Sequence, residues 1–475
     1  MKRIFSLSLL IVLSVAVTPL AFAQEDGATV FKAGASLSNI TPWFGTSLAG
    51  SMTDRTATVI SDELYVRSFV LDDGTTTLTI SLVDCCMIER PIIDAAKARA
   101  SEATGIPTTN MLVAATHSHT AGTCANVFQS DPDPEYTTFV SRRIADGITQ
   151  AWQKRVPAKI GWGSGSVPDE VFNRRWLMKE GTVGEDPFGK TNDVVKMNPP
   201  RASENLIKPA GPTDPEVSIL ALETLDGKPL ALLANYSLHY VGGIPGVSGD
   251  YFGVFVNRIA KVLNADDSFV ASMSNGTSGD INNVNFAVPG IKQGAGEQMN
   301  LVGNKVAAEV LRAYNYIEFQ NWVPLAAIQK EITLGIRKPS AEEVVEAKEI
   351  LAKAQSENRK LNNFREYYAN CTVDLADYPD TEDLVLQALQ IGDLGIAAIP
   401  CETFVEIGLA IKDQTPFKKS FTIELANGYN GYLPTEAQHP LGGYETWRAK
   451  SSHLEVKAAT VIQETMLELL NELKQ

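Results

Sequence analysis

The chain is short of positive charge. Its 475 residues include 41 Lys and Arg against 56 Asp and Glu, so the formal net charge is -15 at pH 7. Proteins that bind nucleic acid rely on Lys and Arg to neutralise phosphates. The composition therefore excludes a general nucleic-acid binder, and an excess of acidic groups is typical of a soluble protein.

Cysteine is also scarce. The wide spacing of the cysteines excludes a small disulfide-stapled domain, and the absence of a CxxC pair argues against a zinc–thiolate site. In an exported chain they would allow up to two disulfides with one thiol left over. The adjacent cysteines, Cys85 and Cys86, lie in the apolar run 78–87 and are predicted to be buried. The five cysteines are Cys85, Cys86, Cys124, Cys371 and Cys401.

Long apolar runs are missing beyond the N-terminus. After residue 23 no run approaches the roughly 20 residues that a membrane helix needs, so no transmembrane segment is predicted. Lys2 and Arg3 precede an apolar stretch at 7–17 and an Ala-Phe-Ala triplet at 21–23, which is the layout of a cleavable export signal. No cysteine follows the predicted cleavage point, so lipid anchoring is not indicated. We expect residues 24–475 to be released to the periplasm or the medium.

Short apolar runs alternate with amphipathic stretches from about residue 31 to 319. This pattern predicts an α/β domain with a mixed β-sheet core flanked by helices. The predicted strands are 65–71, 77–84, 111–115, 217–222, 231–236 and 269–274. The predicted helices are 90–102, 134–155, 252–263 and 297–316.

Four further segments have patterns of their own, one within this range and three after it. Residues 163–211 are rich in Gly, Pro and Asn and are predicted as a long irregular loop of the kind that lines active sites. A capping box at Ser340 to Glu343 begins a predicted exposed helix that ends near residue 368. A hairpin is predicted from strands 384–391 and 394–399, and a last helix from about 453 to 473.

Histidine is rare, yet two of the five stand one residue apart. His117 and His119 follow the apolar run 111–115, which reads as a buried strand. Alternate side chains of an extended segment point the same way, so both imidazoles can face one pocket. Neutral imidazole is a common zinc ligand, and the second histidine can add a ligand, a general base or a hydrogen bond to a bound water. The alternative is a hydrogen-bonded histidine pair without a metal.

Other polar residues follow predicted strands in the same way. His239 ends the run 232–238 and is either a structural residue or a further ligand. The segment 274–283 follows the next strand and is either an ordinary turn or part of a site, with Asp280 as its carboxylate. Asp84 ends strand 77–84 and is either an exposed residue or a carboxylate that orients a ligand histidine.

Several segments, taken in order, resemble the signatures of the neutral/alkaline (non-lysosomal) ceramidases. These enzymes are zinc-dependent amidases that cleave the N-acyl bond of ceramide. The resemblance spans about residues 31–450. The matching segments are 34–42, 116–122 with the His-x-His element, Asn173-Arg174, His239, 275–280, 400–404, 427–432 with its Asn-x-Tyr-x-x-Tyr pattern, and Tyr444-Glu445.

The resemblance implies a zinc site and assigns roles to particular residues. The implied zinc ligands are His117, His239, Glu402 and Tyr432. His119 is placed beside the metal-bound water, with Arg174 and Tyr444 near the scissile carbonyl. Two imidazoles with oxygen ligands suit Zn²⁺, and a bound water whose pKa falls toward neutral can attack an amide.

The chain departs from the ceramidase pattern in three places. Asn282 stands where the family has a serine treated as catalytic, and Asn cannot be the nucleophile. Thr277 and Ser278 lie nearby and offer hydroxyls, whereas direct attack by zinc water needs none. The loop 120–123 differs from the family's Gly and Pro, and the chain ends about where the family's C-terminal β-sandwich would begin. We therefore expect a single large catalytic domain without that sandwich, whose portion from about residue 335 contributes two ligands.

The favoured hypothesis is an exported zinc hydrolase that cleaves the N-acyl bond of ceramide or a related N-acyl lipid. One alternative is a hydrolase of the same scaffold that acts on a carbohydrate or peptide derivative. Another is a non-catalytic lipid- or glycan-binding relative. An amidohydrolase barrel also begins with His-x-His, but it requires later strand-end histidines that this chain does not offer. The substrate, the oligomeric state and transient contact with a membrane surface stay open.

Overall fold

The structure is a computed structural model, and it describes residues 30–474. The predicted export signal lies outside these residues. An eight-stranded mixed sheet, the central sheet, runs through the molecule. In spatial order its strands are Val270–Asn275, Pro229–Tyr236, Glu216–Thr224, Val156–Ser166, Lys32–Asn39, Tyr65–Asp72, Thr77–Val83 and Met111–Ala115.

The strands of the central sheet are antiparallel except at its two edges. At one edge Met111–Ala115 runs parallel to Thr77–Val83, and at the other Val270–Asn275 runs parallel to Pro229–Tyr236. A parallel pair needs a crossover connection, and a helix lies within each of these two connections. Strand Met111–Ala115 leads into the segment with His117 and His119, and strand Val270–Asn275 leads into segment 274–283.

A second sheet of four strands packs against the central sheet. Side chains along strand Met111–Ala115 point alternately to the two faces of the central sheet. Leu112 and Ala114 face the second sheet, where they join Ile396 and Phe421 in one apolar cluster. The neighbouring odd-numbered residues pack into a different cluster on the opposite face. In spatial order the strands of the second sheet are Leu325–Gly335, Thr381–Ile391, Leu394–Ala398 and Lys419–Ile423.

Helices cover both outer faces, so the described chain has four layers. The second, third and fourth helices pack on the central sheet, and the first helix packs on the second helix. The last two pack on the second sheet, and the remaining pair pack on each other. The predicted α/β architecture with a mixed sheet and flanking helices in one domain is confirmed. The helices are α1 Arg90–Thr104, α2 Pro134–Gln153, α3 Asp250–Val262, α4 Glu297–Tyr314, α5 Ala341–Ser356, α6 Phe364–Ala376, α7 Val405–Gln414 and α8 Ala458–Lys474.

The predicted long helix after residue 340 is wrong, because two helices stand in its place. The capping box is present: the Ser340 hydroxyl accepts from the Glu343 amide, and the Glu343 carboxylate accepts from the Ser340 amide. However, α5 ends at residue 356, and Asn358 adopts a left-handed backbone with φ of 46°. Asn363 then caps α6 by accepting from the Glu366 amide. Asparagine tolerates the left-handed region and favours caps, which explains the break.

The irregular segment 163–211 contains more structure than the sequence indicated. It supplies a small three-stranded sheet whose side chains pack with Phe286 in an apolar cluster that includes Trp176 and Met178. The paired strands of this sheet are separated by long stretches of chain, so no local sequence pattern predicts that they pair. The strands of this sheet are Val195–Met197, Arg175–Met178 and Leu206–Pro209.

The final helix begins later than predicted. Residues 453–457 precede α8, and the His453 ring lies between the Lys450 carbonyl at 2.8 Å and the Glu382 carboxylate at 2.7 Å. Within residues 30–474 no helix has the length and apolar character needed to cross a membrane. All five cysteines are buried, which confirms the burial predicted for the adjacent pair, and none forms a disulfide with another.

Candidate metal centre and catalytic pocket

His117 is held in an unusual backbone conformation directly after strand Met111–Ala115. Its φ is 74°, in the left-handed region that non-glycine residues rarely adopt. Its amide donates to the Cys85 carbonyl at 2.9 Å, and its Nδ1 donates to the Cys86 carbonyl at 2.7 Å. Such conformations persist where surrounding contacts enforce them, often at functional sites. These bonds fix the ring and leave Nε2 as the free nitrogen.

His239 and Glu402 reach the same point from different sheets. His239 follows the central-sheet strand Pro229–Tyr236, and its Nδ1 lies 3.2 Å from the Ser278 carbonyl. Glu402 follows the second-sheet strand Leu394–Ala398 and begins a two-residue strand that pairs in parallel with Tyr432–Leu433. The site therefore forms where strand ends of both sheets meet.

The free ring nitrogens and one carboxylate oxygen converge. The Nε2 atom of His117 lies 2.9 Å from that of His239, 3.2 Å from that of His119 and 3.3 Å from Oε2 of Glu402. That Glu402 oxygen is buried without a hydrogen-bond partner among the described residues. Lone pairs packed this closely, with an unpaired carboxylate beside them, fit a divalent cation. The donor set of imidazole nitrogen and carboxylate oxygen suits zinc.

The electrostatics of the cluster put positive charge at its centre: burial opposes a charge on His117, but Cys86 and Glu402 outweigh it and raise the pKa of His117 well above its ordinary value. Burial, together with the neighbouring His117, lowers the pKa of His119 and of His239, which keeps both imidazoles in the neutral form that binds metals. Burial alone would raise the pKa of Glu402, but the nearby His117 outweighs it and lowers that pKa. Glu402 is therefore ionised at neutral pH, as a metal ligand must be.

Tyr432 and Arg174 complete the floor of the site. The Arg174 guanidinium donates to the Tyr432 hydroxyl at 3.1 Å and to the Gly279 carbonyl at 2.8 Å. Its Nε donates to Glu445 at 2.9 Å. Burial opposes the charge of Arg174, but Tyr432 and Glu445 outweigh it and raise its pKa. The guanidinium is thus a fixed positive charge beside the histidines.

A cavity of about 650 Å³ opens above this floor. Tyr444 stands on its wall, with its ring centre 5.7 Å from that of Tyr432. The structure brings eight of the predicted site residues to this one cavity. They are His117, His119, Arg174, His239, Asn282, Glu402, Tyr432 and Tyr444.

Two predicted residues lie outside the cavity wall. Asp84 is buried and bonds to the Arg67 guanidinium at 2.6 Å and the Tyr65 amide at 3.0 Å, while the partner of His117 Nδ1 is the Cys86 carbonyl. Asp280 is buried below the site, where it accepts from Asn173 at 2.6 Å and from Val405 at 2.9 Å. Burial raises the pKa of Asp280 to about 6.

The hydroxyl and amide groups of segment 277–282 have defined partners. Asn282 donates to Asn198 at 2.7 Å and accepts from the Val284 amide at 2.9 Å, so its side chain is held against the cavity wall. The Ser278 hydroxyl bonds to Glu424 at 2.7 Å. Thr277 packs against Gly408. Neither Thr277 nor Ser278 lines the cavity, so neither offers a hydroxyl to a substrate there.

Several residues of the site escaped the sequence reasoning. The Tyr240 ring stacks on His119 with centres 3.7 Å apart, and the Tyr429 hydroxyl donates to Glu402 at 3.1 Å. One carboxylate oxygen of Glu445 accepts from Arg174, and the other accepts from the Arg175 guanidinium at 2.8 Å. Tyr429 and Glu445 belong to segments already matched to the ceramidases, which was the available signal. Tyr240 directly follows His239 but belongs to no matched segment, so no sequence motif pointed to it.

The comparisons with known proteins identify the fold. The chain superposes on the crystal structure of neutral ceramidase from Pseudomonas aeruginosa with a TM-score of 0.70 and 17% sequence identity, over 94% of this chain and 75% of that one. A ceramidase complexed with C2 matches over the same shares at a TM-score of 0.69 and 17% identity. No family profile and no curated protein matches the sequence. The chain therefore has the fold of neutral ceramidase, and the predicted resemblance is confirmed at that level.

Proposed function

We propose that the protein is an exported zinc-dependent amidase that cleaves the N-acyl bond of ceramide or a related N-acyl lipid. One observation carries the proposal: three imidazoles and an unpaired Glu402 oxygen converge at the floor of a deep cavity, beside a fixed Arg174. The proposed ligands are His117, His239, Glu402 and Tyr432. The likeness in fold to neutral ceramidase supports a hydrolase of this kind.

The lining of the cavity supports an uncharged substrate with apolar parts. Among the described lining residues the charged side chains are Arg174 and Glu402, and both belong to the site itself. A charged substrate group would find no partner elsewhere on this wall. Apolar side chains cover much of the remaining surface and suit an acyl chain. They include Met52, Val127, Phe128, Met197, Val284 and Phe286.

The residues of the chain can perform the steps of amide hydrolysis. A bound zinc ion would supply Lewis-acid activation of water at these ligands. His119 Nδ1 donates to the Gly50 carbonyl at 3.0 Å, which leaves Nε2 free to accept a proton from the attacking water. Arg174 and the Tyr444 hydroxyl, both on the cavity wall, then donate to the carbonyl oxygen as negative charge develops on it. His119 can return the proton to the leaving amine.

This scheme requires no nucleophilic side chain. Asn282 is held by Asn198 and the Val284 amide, and an amide is not a nucleophile. Attack by water is therefore the step that this chain's residues support. Asn282, in place of the serine of the ceramidases, also changes the cavity wall. This difference supports a rival proposal, in which an enzyme of the same fold hydrolyses a different amide, such as a peptide derivative.

A substrate panel tests the proposal. Zinc-loaded protein is incubated with a fluorescent short-chain ceramide, an N-acyl amino acid, a peptide amide and an aryl glycoside, with Glu402→Ala as the matched control. We expect hydrolysis of the ceramide by the wild-type protein alone. Hydrolysis of another substrate in preference to ceramide would favour the rival enzyme. Binding of ceramide without turnover of any substrate would favour a non-catalytic relative.

A further inference from the structure

A buried carboxylate near the site has no part in the scheme above. Glu424 directly follows strand Lys419–Ile423 of the second sheet and is fully buried. It accepts hydrogen bonds from the Ser278 hydroxyl at 2.7 Å, the Ser278 amide at 3.2 Å and the Thr403 amide at 2.7 Å. A buried carboxylate is costly unless it is bonded in this way, so its position is strongly determined.

The two partners of Glu424 each adjoin a proposed zinc ligand. The carbonyl of Ser278 faces Nδ1 of His239 at 3.2 Å, and Thr403 directly follows Glu402. Ser278 belongs to the segment after the last central-sheet strand, whereas Thr403 belongs to the segment after a second-sheet strand. Glu424 therefore links the two segments that orient ligands from different sheets.

The two segments also touch directly, so that a shift in one is passed to the other. The Gly279 amide donates to the Thr403 carbonyl at 2.9 Å. A Cβ at position 279 would lie 2.5 Å from the Glu402 carbonyl oxygen, which leaves no space for a side chain. A displacement of Ser278 would therefore move both the partner of His239 and the backbone of Glu402.

We propose that Glu424 is a positioning residue that sets the separation of His239 and Glu402 for zinc binding. This inference rests on the metal site of the proposed function. Partners that orient metal ligands commonly change metal affinity by roughly 10- to 100-fold when they are removed. Without Glu424, two backbone amides would be buried without acceptors, and the segments that carry them would shift to find water.

Three variants separate a positioning role from general stabilisation. Glu424→Ala removes the acceptors. Glu424→Gln keeps one carbonyl oxygen for the two amides, and its NH₂ group can donate to the Ser278 hydroxyl, which is able to accept. Glu366→Ala is the matched control, because Glu366 is 5% exposed and accepts from the Arg359 guanidinium and the Asn362 amide, and its helix α6 carries no proposed ligand. Should Glu424→Ala not fold, Ser278→Ala gives a milder loss of one bond.

The readout is the zinc dissociation constant, measured by competition with a fluorescent chelator, beside the unfolding temperature. We expect Glu424→Ala to bind zinc roughly 10- to 100-fold more weakly, Ser278→Ala several-fold more weakly, and Glu424→Gln and Glu366→Ala to stay near wild type. Wild-type affinity in Glu424→Ala, or in Ser278→Ala if the former does not fold, would overturn the role of Glu424 alone. A wild-type chain that binds no zinc would overturn the proposed function together with this role.

Discussion

Two adjacent arginines provide a controlled test of the proposed oxyanion contact. Arg174 and Arg175 are both buried and both bond to Glu445, at 2.9 Å and 2.8 Å. Only Arg174 lines the cavity, whereas Arg175 turns to the Gln438 side chain and the Gly442 carbonyl. Replacing each with Met removes one partner of the same carboxylate, but only one replacement removes a donor from the cavity.

The expected effects on stability and on turnover differ. Removing one partner of a buried ion pair costs about 3–5 kcal/mol, so we expect both variants to lose stability to a similar degree. A preorganised donor to a developing oxyanion contributes about 3 kcal/mol to catalysis. Arg174→Met should therefore reduce kcat by roughly 10²- to 10³-fold, while Arg175→Met keeps kcat near wild type. Arg175→Met should retain zinc, because Arg175 contacts no proposed ligand, whereas Arg174→Met also removes the donor to the Tyr432 hydroxyl, so zinc content is measured beside kcat.

Three measurements on the purified variants decide the matter: kcat and KM on the hydrolysed amide, zinc content, and denaturant unfolding. A turnover number near wild type in Arg174→Met would refute the oxyanion role. Equal losses of turnover in both variants would show that the Glu445 network, and not a direct contact of Arg174 with substrate, controls activity.

Three further predictions concern other residues of the site. Glu402→Gln should lose both bound zinc and turnover, as measured by metal analysis and amide hydrolysis, because a neutral amide is a poor zinc ligand. Tyr444→Phe should keep zinc yet lose roughly 10²-fold in kcat, since it removes one hydroxyl donor; an unchanged kcat would exclude Tyr444 from the oxyanion contact. Burial raises the pKa of Asp280 to about 6, above its unfolded value, so its share of stability is complete below about pH 4 and is lost as pH rises through 6. Relative to Asp280→Asn, wild-type protein should lose about 3 kcal/mol of unfolding free energy between pH 3 and 8 in denaturant titrations, and parallel curves would contradict this.

Strong local periodicity made most elements of the fold predictable. Strand Met111–Ala115 matches its prediction at both ends, and α1, which starts at Arg90, has Pro91 in its first turn and Gly105 as its left-handed cap. The small sheet within 163–211 was missed, because its strands are three or four residues long and pair across intervening loops. The split between α5 and α6 was missed because the residues that separate them are polar apart from Leu361 and resemble an exposed helix.

The site was predictable where a polar residue ends an apolar strand or lies in a matched motif. His117, His239 and Glu402 have this signal, and the structure brings them together. Glu424 ends a strand in the same way, yet its contacts with Ser278 and Thr403 depend on how two sheets pack. No spacing along one chain encodes such a contact, because the partners lie about 20 and 150 residues away.

Zinc content and ceramide hydrolysis, measured together on the wild-type protein and on His117→Ala, test the central claim most directly. His117 contributes the ring nitrogen that lies within 3.3 Å of the other three converging atoms. The account predicts about one zinc per wild-type chain with hydrolysis of a short-chain ceramide, and loss of both in the variant. A wild-type chain that hydrolyses ceramide without zinc, or a variant that keeps its metal and its activity, would contradict it.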